Sequence, residues 1–147
     1  MSFSVSRLAE RDTSQRSLHP LHAFLLAGAG YFFISGLLSD WAYFSTQEIQ
    51  WKNFAMWLIM GGLICAGFTM LWAFAAVTRV EKRGRHIVYL LLILAAFILG
   101  FINELIHAKD AWASMPDALI LSGIAAVLVV VATGLGLSTW PRAGALR

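Results

Sequence analysis

Four histidines carry most of the chemistry open to this chain, and three of them stand where polar sequence meets apolar sequence. His19 and His22 lie in Ser17-Leu18-His19-Pro20-Leu21-His22, three positions apart, at the start of the first apolar run. His86 follows the basic stretch Arg79-Val80-Glu81-Lys82-Arg83-Gly84-Arg85 and opens another. A neutral imidazole ligates a metal or passes a proton near neutral pH. The fourth, His107, has Glu104 three positions before it and Asp110 three after it, so a helix reaching that far carries all three on one face. A carboxylate beside an imidazole can hold a metal, relay a proton or bind a quinol hydroxyl. The structural alternative is a solvated, hydrogen-bonded cap that fixes the loop before Pro116.

The elements that position these residues follow from composition. Hydrophobic residues make up 59% of the 147 and charged residues only 13%, with mean hydropathy +0.73. That balance belongs to membrane proteins rather than soluble ones. Four apolar segments predict helices over about 20–39, 53–78, 86–106 and 116–138, each near the 20 residues that cross a bilayer. The expected fold is an all-α integral membrane protein, an up-down bundle of four transmembrane helices in one domain. Pro20 suits a first helical position, where its missing N–H costs nothing. Gly62 with Ala66, and Ala96 with Gly100, form small-xxx-small pairs that let helices approach closely. Residues 1–17 form a polar leader with no cleavage motif, so the first helix reads as an uncleaved anchor, and residues 139–147 form a basic tail. Trp41, Tyr43 and Trp51 in the first connection are aromatics of the kind that settle at an interface.

The charge pattern orients the bundle. Nine of the eleven Lys and Arg fall in the leader, the Arg79–Arg85 connection and the tail, against only Lys52 and Lys109 on the other side. By the positive-inside rule both termini are cytoplasmic, and in a bacterium the protein sits in the inner membrane. The net charge of +3 reports this topology rather than nucleic-acid binding. Cys65 is the only cysteine, which excludes an intramolecular disulfide and a cysteine-based metal cluster.

Helices 1 and 3 then run parallel and diagonal, with His22 and His86 at one depth. Two imidazoles facing across a bundle are what a b-type haem requires. His22 and His86 are the candidate axial ligands and His19, just outside the helix, a support or alternative. At the other end, His107, Glu104 and Asp110, joined by Asp40 from the first hairpin, are the candidate metal or proton site. Asp40 follows His22 by eighteen positions and Glu104 follows His86 by eighteen, an echo that fits two parallel hairpin repeats, although the apolar residues between do not align at that spacing. No phosphate loop, HExxH, nucleophile elbow or EF-hand is present, so nothing marks an enzyme acting on its own. The midplanes are almost wholly apolar, which argues against a solute path through one copy.

His19-Pro20-Leu21-His22-Ala23-Phe24-Leu25-Leu26, Asp40 after the first helix, the arginines before His86, and Gly100-Phe101-Ile102-Asn103 with His107-Ala108-Lys109-Asp110-Ala111-Trp112 resemble the bacterial four-helix membrane family known as domain-of-unknown-function family 2231. The resemblance covers essentially the whole membrane part. It departs at Ala23, where the wider family tends to show a second His-Pro. The architecture is similar to that of small b-type cytochrome subunits, and some relatives look linked to iron–sulfur or dehydrogenase partners. The resemblance therefore implies an accessory subunit to a redox partner, as a haem b or quinone-side electron carrier. A cofactor-free anchor or scaffold is the alternative, and a small metal-handling protein using the outer cluster a third. Expected partners are the lipid bilayer, a redox protein and a second copy of the chain as a homo-oligomer.

Overall fold

In the computed structural model, residues 19–78, 84–109 and 111–138 are described. Four long helices account for nearly all of them: α1 Pro20–Thr46, α2 Ile49–Val77, α3 Gly84–His107 and α4 Asp117–Ser138. A 3-10 turn, Ala111–Ser114, precedes α4, and no strand occurs among the described residues. The leader, the centre of the α2–α3 connection, Asp110 and the basic tail lie outside them.

Each helix is long and apolar enough to cross a membrane. The 27 residues of α1 span about 40 Å, more than the hydrocarbon core of a bilayer, so α1 reaches into an interface. Large apolar side chains cover the outside, among them Phe24 and Trp57, each 71% exposed. In water such a surface would aggregate, whereas acyl chains solvate it. The protein is an all-α, four-span membrane bundle.

The first helix is longer than its apolar run predicts. It continues through Trp41 and Tyr43, expected in a loop, to Thr46, where Gln47 turns left-handed at φ 60° and its N–H reaches the Tyr43 carbonyl. Ser45 and Thr46 donate their hydroxyls to the Trp41 and Ala42 carbonyls. Polar side chains thus satisfy the helix end locally, without an apolar sequence to announce it. Only Gln47 and Glu48 separate α1 from α2. At its start, His19 caps α1, its Nδ1 accepting from the Leu21 N–H at 3.3 Å.

Each helix packs on its neighbours in chain order and α1 closes on α4, which leaves α1 and α3 diagonal and parallel. Their separation is set by one large residue against one small one. Phe33, 1% exposed, points across the bundle at Gly100, where a Cβ would come within 2.7 Å of its ring, and at Gly62, where it would come within 3.1 Å. Both small-xxx-small pairs are buried here.

Candidate functional site

The bundle has two polar ends. Where the hairpins turn, Asp40 of α1, Asn103 and His107 of α3 and Ser122 of α4 converge, none more than 3% exposed. Asp40 lies a turn and a half before the end of its helix. Asn103 and His107 are one turn apart at the end of theirs, and Ser122 is on the second turn of α4. All three helices bring a polar group to the same depth on the face that otherwise carries the apolar core.

The donors and acceptors form a closed circuit. The Asn103 side-chain amide donates to Ser122 Oγ at 2.7 Å, and the Ser122 hydroxyl donates to Asp40 Oδ2. Asp40 Oδ1 lies 2.8 Å from His107 Nε2, and His107 Nδ1 lies 2.9 Å from the Asn103 main-chain carbonyl. A carbonyl oxygen only accepts, so Nδ1 carries a hydrogen. One proton then remains to be placed between Nε2 and Oδ1. On the imidazole it makes an ion pair, on the carboxyl a neutral pair, and both arrangements carry zero net charge. Removing it leaves a single negative charge in an apolar bundle, which is costly without compensation.

These positions revise the expected cluster. Asp40 and His107 do meet. Glu104 is half-buried on the neighbouring flank of α3 and does not join the circuit, its Oε1 having no hydrogen-bond partner. Asp110 lies outside the described residues. A solvated cap is not what forms, since the circuit is sealed from solvent. No group of three or more His, Cys, Asp or Glu side chains suited to a metal occurs among the described residues. Ser122 was missed because a lone serine in an apolar helix carries no signal without its partner. The buried Asn103 Oδ1 beside it accepts no hydrogen bond.

At the opposite end, His22 is 5% exposed, and its Nε2 lies 3.1 Å from the Tyr89 hydroxyl. Trp72 of α2 flanks it at 5.8 Å between ring centroids and flanks His19 at 5.0 Å. His86 is one turn earlier than Tyr89 and half-buried. Tyr89, not His86, therefore stands across from His22. A bis-imidazole haem requires an opposed pair of free ring nitrogens and space for its plate. Here Nε2 of His22 is engaged while the buried Nδ1 atoms of His22 and His86 have no hydrogen-bond partner, and Leu26, Ala29, Ile93 and Ala96 close the core below, all at most 1% exposed. The packed core, rather than the ring nitrogens, stands against a haem plate between α1 and α3. A helix turn returns the same face every three to four residues, so sequence spacing alone could not choose between His86 and Tyr89.

A four-span bundle with a sealed carboxylate–imidazole circuit defines the class as a small integral membrane protein with a buried ionisable pair. The chain belongs to the DUF2231 family, described as a predicted membrane protein, whose profile matches residues 18–144. Comparison with curated proteins and with solved structures returned no match.

Proposed function

We propose that this protein is an accessory inner-membrane subunit that holds and hands over one proton at its outer end for a redox partner. The observation that carries the reading is the Asp40–His107 pair, 2.8 Å apart and shielded from solvent inside candidate membrane spans. Ionisable residues in such spans are expensive to keep, which makes a buried pair a functional candidate. The reading takes this end as periplasmic, in keeping with the positive-inside distribution. The open acceptors Asn103 Oδ1 and Glu104 Oε1 on the same turn of α3 give an arriving water or hydronium somewhere to bond. Quinol oxidation releases protons at a membrane face, and a carboxylate–imidazole pair takes up one at a time.

A cofactor-free anchor is the second reading, favoured by the hydrogen bonds that hold Asp40 and His107 within the circuit. Proton uptake by the full-length protein in nanodiscs, followed after a pH step with a pH dye and by infrared difference bands of carboxyl and imidazole, separates the two. Uptake that disappears in Asp40→Asn and in His107→Gln supports proton handling. Identical uptake in wild type and both variants, with only their stability reduced, supports the anchor.

A further inference from the structure

The buried faces of the two hairpins share one register. The inward positions His22, Leu26, Ala29, Phe33, Gly36 and Asp40 of α1, moved by 67 residues, become Tyr89, Ile93, Ala96, Gly100, Asn103 and His107, which are all the buried positions of α3. The further buried residue Ser39 matches half-buried Ile106, and Tyr43 matches a position outside the described residues. For α2 and α4 the step is 63, as from Ala55 to Ala118, Ile59 to Ser122 and Thr69 to Ala132, and it reproduces every buried position of α4. The second hairpin thus has the same two faces, with four fewer residues between equivalent inward positions across its turn, as from Asp40 to Ala55 against His107 to Ala118. The echo at eighteen residues pointed to such a repeat but in a register one helical turn off.

We infer that the chain is one hairpin module used twice about a twofold pseudo-axis along the membrane normal, and that residues on this axis make each hairpin a binding surface for the unlike hairpin. Three contacts across the diagonal join equivalent positions. His22 meets Tyr89, and Asp40 meets His107, both 67 residues apart. Phe33 meets the site of Gly100, also 67 residues on. Each contact is complementary: an imidazole with a hydroxyl, a large ring with no side chain, a carboxylate with an imidazole. Two first hairpins would bring carboxylate to carboxylate and ring onto ring. Two second hairpins would set imidazole against imidazole and leave a void at Gly100. Both like pairings lose what the unlike pairing gains, which is how a paired surface becomes selective. The inference stands on register and packing, independent of the proton-handling role.

The test uses the full chain. Phe33→Gly opens a void, and Gly100→Phe collides with Phe33. About a pseudo-twofold axis, Phe33→Gly with Gly100→Phe moves the ring to the equivalent side, and Ala125→Gly supplies the counterpart of Gly62. The inference expects this triple variant to recover more than half of the melting-temperature loss of Phe33→Gly in detergent. A triple variant melting at or below the worse single substitution overturns it. Because repacked variants can fail to fold, spin labels in a Cys65→Ala background at the exposed positions 24, 57, 91 and 120 supply a second measurement. The axis requires the 24–57 and 91–120 distances to match, and likewise 24–120 and 57–91. Either pair clearly unequal overturns it.

Discussion

Asp40 and His107 face each other at 2.8 Å from helices that stand diagonal in the bundle, so the contact ties the first hairpin to the second through the middle of the protein. Breaking a buried pair by removing one partner leaves an uncompensated group and typically costs about 3–5 kcal/mol. Asp40→Ala and His107→Ala are each expected to lose stability on that scale. The double variant is expected to lose less than the sum, with coupling of roughly 1–3 kcal/mol. Reversible denaturation in mixed micelles measures the cycle, and strict additivity would show that the two do not act as a pair.

Tyr89→Phe keeps the ring beside His22 and deletes the hydroxyl that meets Nε2. Leaving a buried ring nitrogen unpaired costs about 1–3 kcal/mol. The nitrogen-15 resonance of His22 Nε2 is expected to shift on this substitution and to stay unchanged in His86→Ala. A reversed pattern would make His86 the true neighbour.

Glycines in the same bundle should respond oppositely. A methyl at Gly100 would sit 2.7 Å from the Phe33 ring, whereas a Cβ at Gly134 meets nothing within 4 Å. Gly100→Ala is expected to destabilise by about 1–3 kcal/mol through overpacking. Gly134→Ala is expected to be neutral or to gain up to about 1 kcal/mol from helix propensity. Melting temperatures of the two variants side by side decide the matter, and equal losses would contradict the packing described.

Lys52 is 7% exposed, and its ammonium donates to the Lys109 carbonyl at 2.6 Å, pinning the α3–α4 connection to the start of α2. Lys52→Met substitutes the side chain that stands at the equivalent place in the second hairpin, Met115. Limited proteolysis should cut this connection several-fold faster in the variant while the rest of the bundle stays protected. Unchanged cleavage would show that the turn holds itself.

Much of this arrangement was readable from residue types. Four apolar lengths announce four spans, and hairpin topology alone brings Asp40 toward His107. What escaped was register and partner choice. The first helix extends past Asp40 because hydroxyls and a left-handed Gln47 finish it, and these leave no trace in hydropathy. His86 and Tyr89 share a helix face, so only the packing of Phe33 on Gly100 fixes which of them meets His22. Ser122 carries no signal of its own in an apolar helix, because the carboxylate it meets lies 82 residues away in the chain.

The circuit at the hairpin end begins at the Asn103 side chain and returns to the Asn103 main chain. Its two terminal links therefore depend on the same backbone segment, the final turn of α3. If that turn unwinds, the carbonyl leaves His107 and the amide leaves Ser122 together, and Asp40 is left with the Ser122 hydroxyl of α4. The carboxylate on α1 thus keeps its tie to α4 when its tie to α3 is lost, so the order of a single helix end governs the diagonal contact alone.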